Sequence, residues 1–112
     1  MPSALMVVLA AATPGQNQRF EQWYDERHVS DMLKVPGIVS ARRYAVAPMK
    51  LPEGVAGFDS LCIYEIEADD VTKVVEECGQ RMGGPEMPTD PALASARTLA
   101  VLALPKHAPE TE

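Results

Sequence analysis

His28 is the residue of this chain best suited to proton transfer. An imidazole with an unperturbed pKa near ~6.5 can give or take a proton at neutral pH. Asp25 lies three residues before it and Tyr24 four, so on a helix either side chain can fix its tautomer. The structural alternative is a histidine near a helix C-terminus that satisfies a backbone carbonyl. The stretch from Phe20 to Tyr44, FEQWYDERHVSDMLKVPGIVSARRY, also holds Trp23, Arg42, Arg43 and Tyr44, in a chain with one Trp, three Tyr and two His. On a strand, alternate residues face opposite sides, so Arg43 points away from Arg42 and Tyr44. Ala41 and Ala45 leave space around Arg43 on its own face. Its guanidinium can grip a carboxylate or enolate oxygen bidentately, or form a salt bridge with one of the sixteen acidic residues. Tyr64 and Glu65 split across two faces in the same way. Glu65 reads as half of a cross-strand ion pair with an arginine of the preceding strand, or as a general base. Phe20 and Trp23 read as core or as the apolar wall of a pocket.

The elements that must position these groups follow from pattern. Residues 4–12, ALMVVLAAA, suit a buried strand, closed by Pro14-Gly15. Across 17–28, Phe20, Trp23, Tyr24, Arg27 and His28 recur at the spacing of one helical face. Ser30 is placed to cap a short further turn through Met32-Leu33, which Pro36-Gly37 stops. Strands follow at 38–47 and 58–67, separated by a Pro/Gly-rich stretch from Pro48 to Gly57. Asp69 or Asp70 caps a helix over 70–82, whose Val71, Val74, Val75 and Cys78 face one way. Gly83 to Pro91 is a loop, and 96–104 is the last strand. The order β-α-β-β-α-β predicts an α+β, ferredoxin-like domain over 1–105, with a four-stranded antiparallel sheet and both helices on one face. Residues 106–112, including His107, read as a flexible tail.

Two helices cover only one face of such a sheet. Yet Leu5 to Leu9 and Leu99 to Leu102 are apolar at every position, where a sheet with one wet face alternates. The second face therefore needs cover, and a second copy of the chain is the simplest one.

Composition narrows the function. A net charge of −6 with scattered basic residues argues against nucleic acid or an anionic membrane surface as partner. Cys62 and Cys78 lack metal-site spacing and read as buried thiols of a reducing compartment. The apolar run at 4–12 has no Lys or Arg before it and is too short to span a bilayer, so a cytoplasmic protein is expected. No HExxH, GxSxG or glycine-rich phosphate loop is present, so neither a metal nor a nucleotide cofactor is expected.

The run from Trp23 to Tyr44 resembles the signature of EthD-like proteins of the dimeric α/β-barrel superfamily. The matching positions are Trp23, Tyr24, His28, then Val35-Pro36-Gly37, then Ala41, Arg43 and Tyr44, with Leu61, Tyr64 and Glu65 matching a later strand. Many such sequences carry Pro two residues after the His, where this chain has Ser30, which implies a different exit from the first helix. The resemblance implies two sheets packed into a dimeric barrel, with a pocket between helices and sheet. It implies a small-molecule function in catabolism or secondary metabolism. The kit then reads as a cofactor-independent isomerase, lyase or cyclase acting on a partly apolar or aromatic carbonyl or carboxylate compound. His28 would shuttle a proton, Tyr24 or Tyr44 would orient the oxygen, and Arg43 would stabilise negative charge. Phe20, Trp23, Tyr44, Tyr64 and Glu65 would contact the substrate. The alternatives are a non-catalytic binding protein for a hydrophobic metabolite, a cofactor-free oxygenase, or a haem-degrading enzyme with His28 on the iron.

Overall fold

The structure, a computed structural model, describes residues 3–47, 50–54 and 57–106. The tail from 107, with His107, and parts of the Pro48–Gly57 stretch lie outside the described residues. The elements are β1 (Ala4–Ala12), α1 (Asn17–Trp23), a π-helical turn (Tyr24–His28), α2 (Val29–Leu33), β2 (Ile38–Ala45), β3 (Ser60–Ile66), α3 (Val71–Arg81) and β4 (Leu93–Ala103). The strands line up as β2-β3-β1-β4, and every neighbouring pair is antiparallel. This is the ferredoxin-like arrangement, as the element order predicts. Among the described residues no helix is long and apolar enough to cross a membrane.

Strand register sorts the side chains into two sets. Met6 pairs with Tyr64 and Leu102, and Arg43 pairs with Cys62; these residues face the helices. Leu5 pairs with Glu65 and Val7 with Ile63 and Val101, and these face away. On the helix side Phe20, Tyr24, Met32, Val74 and Cys78 close over Met6, Cys62, Tyr64 and Ile66 to make one core. Asp70 caps α3, its carboxylate accepting from the backbone N–H of Thr72 at 3.0 Å and of Lys73 at 3.4 Å. Gly37 sits at φ +100° against Val74, where a Cβ would come within 2.6 Å of a valine methyl. Only glycine lets the turn before β2 approach α3 so closely.

The first helix departs from expectation. It does not break at Ser30. It runs without interruption from 17 to 33 and absorbs one turn of π-helix at Tyr24–His28. The backbone N–H of Val29 donates to the carbonyl of Tyr24, five residues back, which defines the wider turn. Ser30, in mid-helix, is no cap. The face also shifts: Arg27, expected on the apolar side, is exposed and pairs with Asp31 at 2.7 Å. The last strand begins at Leu93 rather than 96, and β2 ends at Ala45 rather than 47.

Candidate functional site

A cavity of about 240 Å³ lies between the helices and the sheet. Trp23, Tyr24, His28 and Met32 of the first helical run form one wall, and Val75, Cys78 and Met82 of α3 region another. The floor is Met6, Val8 and Ala10 of β1 with Thr98 and Ala100 of β4. Small residues make the room: a Cβ at Gly79, which also lines the space, would meet nothing within 4 Å. Four of the chain's six methionines line it, namely Met6, Met32, Met82 and Met87. Methionine is unbranched and polarizable, so this lining adapts to ligand shape. An apolar cavity of ~150 Å³ takes a benzene ring, which makes this one ring-sized with space for a substituent.

The π-helical turn sets the aromatic, His28-bearing wall of the cavity. Five residues apart on a regular α-helix, two side chains point about 140° away from each other. Here Trp23 and His28 are five apart, and the wider turn stacks their rings at 4.8 Å with an interplanar angle of 23°. Tyr24 meets His28 edge-on, with centroids 5.0 Å apart at 90°. His28 is only 7% exposed. Burial pushes its pKa down to about 4; the Asp31 carboxylate opposes that and Arg43 adds to it. The imidazole is therefore neutral at physiological pH. Its Nδ1 is buried without a hydrogen-bond partner, as is Trp23 Nε1, and both rings line the cavity. Burial also raises the Tyr24 phenol to about 12, against a hydrogen bond to Tyr64 that lowers it.

The other sequence-predicted residues divide sharply. Tyr64 is fully buried behind Tyr24, with the two hydroxyls 3.4 Å apart. Phe20 is core, edge-on to Tyr24, and does not line the cavity. Arg43 faces the helices but stops on the far side of Tyr24, its guanidinium carbon 4.1 Å from the ring centroid. Its Nη1 donates to Glu21 at 2.9 Å and Asp25 at 2.7 Å, and Nη2 donates to Ser60 Oγ at 2.7 Å. Asp25 therefore serves Arg43 and not His28. Tyr44 and Glu65 lie on the opposite face of the sheet with Arg42. The partner of Glu65 is Ser40, whose hydroxyl donates to the carboxylate at 2.5 Å, rather than an arginine. So Trp23, Tyr24 and His28 come together at the cavity; Arg43, Tyr44 and Glu65 do not reach it.

The residues between α3 and β4 complete the wall. Met82 and Met87 form a parallel bridge, and the backbone N–H of Gly83 donates to the Met87 carbonyl at 2.8 Å. An ion pair of 2.9 Å between Arg19 and Asp90 ties this loop to α1. The methionines were missed from sequence alone. Their abundance was the available signal, though it does not say which of them share a space. Among the described residues, no cluster of three or more His, Cys, Asp or Glu is placed to hold a metal ion.

Layering, topology and cavity position define a ferredoxin-like α+β domain with a small-molecule-sized space between its two layers. The same architecture occurs in the crystal structure of an ethyl tert-butyl ether d (EthD) family protein from Bacillus halodurans C-125. The match has a TM-score of 0.55 and covers 89% of this chain and 96% of that chain at 15% sequence identity. The fold of this chain is EthD-like. No family model matches the sequence, and no curated protein does.

Proposed function

We propose that the chain is a cofactor-independent enzyme of isomerase, lyase or cyclase type. Its substrate is a small, mostly apolar carbonyl or carboxylate compound held in the cavity, with His28 exchanging the proton. The observation that supports this is the placement of one neutral imidazole, its Nδ1 without a hydrogen-bond partner, in the wall of an otherwise apolar, ring-sized space. Kept uncharged by burial, His28 starts as a base. Negative charge developing on a compound beside it raises its proton affinity, so the protonated form is stabilised when it is needed. Tyr24 holds the imidazole edge-on, and Arg43 acts behind Tyr24. Turnover of ring-sized carbonyl compounds, followed by NMR of the compound itself, tests the reading. His28→Gln should cut the rate by about 10²–10⁴-fold with the fold intact. Undiminished turnover in that variant would remove His28 from the chemistry. A compound bound by the wild type and recovered unaltered would favour a binding protein for a hydrophobic metabolite, the reading to which the apolar lining also lends support.

The active form in this proposal is a homodimer joined through the uncovered sheet face. Leu99 and Val101 of β4 are 49% and 48% exposed there, beside Val7, Leu9 and Ile63. Contiguous apolar surface of this kind is uncommon on monomers. Sedimentation should give a dimer for the wild type and a monomer for Val101→Asp; a monomeric wild type would rule the assembly out.

A further inference from the structure

We infer that the cavity selects uncharged compounds and rejects anions, so that a carboxylate enters only together with a proton; this rests on the cavity being the ligand site. The inference narrows the substrate class from carbonyl or carboxylate to neutral carbonyl.

It follows from where the cations of the chain are spent. Among the described residues no Lys or Arg lines the cavity. Arg43, the nearest on the sheet, is screened from it by the Tyr24 ring and neutralised by Glu21 and Asp25. Arg27, one residue before His28, turns outward to Asp31 at 2.7 Å. Arg81, at the end of α3, is paired with Glu77 at 2.7 Å, and Arg19 with Asp90. The charged group beside His28 is thus a buried carboxylate, Asp31, already paired with Arg27, so it leaves no unpaired cation for an anion to meet.

The groups that do face the space are neutral. From the first helical run these are His28 and the Tyr24 phenol; from α3 it is the Cys78 thiol, whose pKa burial also raises. β1 contributes Met6, Val8 and Ala10, none of which titrates. β4 contributes Thr98, whose hydroxyl is already donated to the Ala94 carbonyl at 3.2 Å. The loop wall contributes Met87. A buried anion without a partner charge is strongly disfavoured. Among the described residues that line the cavity, only His28 can supply that charge, and it must first bind a proton. A ketone or aldehyde oxygen needs only a hydrogen-bond donor, which a neutral imidazole offers from Nε2 in one tautomer.

Acetophenone and benzoate are matched in size and differ in charge, so they serve as probes with the full chain. Calorimetry in buffers of different ionisation enthalpy counts the protons taken up on binding, and Trp23, the single tryptophan, reports occupancy by fluorescence. Acetophenone should bind with no proton uptake and the same affinity at pH 5.5 and 7.5. Benzoate should bind far more weakly at pH 7.5, take up about one proton, and tighten about tenfold for each pH unit lowered. Benzoate binding as tightly as acetophenone at pH 7.5 without proton uptake would overturn charge selection and leave the cavity as a ligand site. Absence of heat and of a Trp23 signal with both probes would overturn the cavity as a ligand site, and the selection with it.

Discussion

Arg42 and Arg43 are adjacent in sequence and meet opposite surroundings, and that contrast extends to the two faces of the sheet. On the helix side the polar groups are deep and many are paired, though His28 Nδ1 and Trp23 Nε1 have no partner. Arg43 has three hydrogen-bonded partners, the Tyr24 and Tyr64 hydroxyls meet, and His28 is held neutral. On the other side Arg42, Tyr44, Ser40 and Glu65 cluster at one end of an apolar surface. The lesson is that the helix side pairs its charges away from the cavity, while the open side keeps its polar groups at the margin of an exposed apolar surface. In the proposed reading, local chemistry on the first face concerns ligands and on the second it concerns assembly.

The largest expected effect tests that division directly. Tyr24→Ala removes a buried ring that touches Phe20, Trp23, His28 and Arg43, and should cost about 3–5 kcal/mol in chemical denaturation. Tyr44→Ala, at a residue 43% exposed, should change the stability of a monomer by about 0.5 kcal/mol or less. If Tyr44→Ala costs several times that, and the cost grows with protein concentration, the open face is buried in an assembly.

An effect of intermediate size comes from His28. Its folded pKa, about 4, lies below the ordinary 6.5, so between those values the unfolded chain binds more protons than the folded one. The stabilisation from keeping His28 neutral is full above about pH 6.5 and is lost as pH falls toward 4. At about 1.4 kcal/mol per pH unit the whole loss is about 3 kcal/mol. Urea melts from pH 7 to 4 should show it, and His28→Gln should remove that part of the slope. An unchanged slope would mean that the imidazole is not shielded, and would weaken the contrast between the faces.

The sequence showed the fold more clearly than the site, for physical reasons. Strand order, the turn at Pro36-Gly37 and the Asp70 cap rest on short-range preferences written in a few residues, and period-two parity correctly separates Arg43 from Arg42 and Tyr44. What could not be read is the π-helical turn. Arg27 and His28 fit a regular helical face as well as they fit the actual one, and only tertiary packing decides which of them is buried. The stacking of Trp23 on His28 therefore has no signature in spacing. Nor does parity say how far a side chain reaches: it places Arg43 on the cavity's side of the sheet, but the intervening Tyr24 ring is a matter of packing. The cavity itself arises from small residues on distant segments, such as Ala10, Gly79 and Ala100, which leave no local pattern.

The smallest effects bear on how the two faces handle a single hydroxyl. Tyr64→Phe removes a group that is fully buried and lies 3.4 Å from the Tyr24 hydroxyl. The distance is long for an O–H···O contact, so the bond lost is weak, but the buried Tyr24 hydroxyl is left with only the weakly hydrogen-bonding Cys62 thiol as partner. A loss of about 1 kcal/mol is expected. Ser40→Ala removes a much shorter bond, 2.5 Å to Glu65, yet it should cost less, about 0.5 kcal/mol, because both residues are partly exposed and water replaces the hydroxyl. The ranking runs against bond length and follows burial. Thermal melts of the two variants decide it: a larger loss for Ser40→Ala would mean that water does not reach Glu65 in solution and that the open face is already covered.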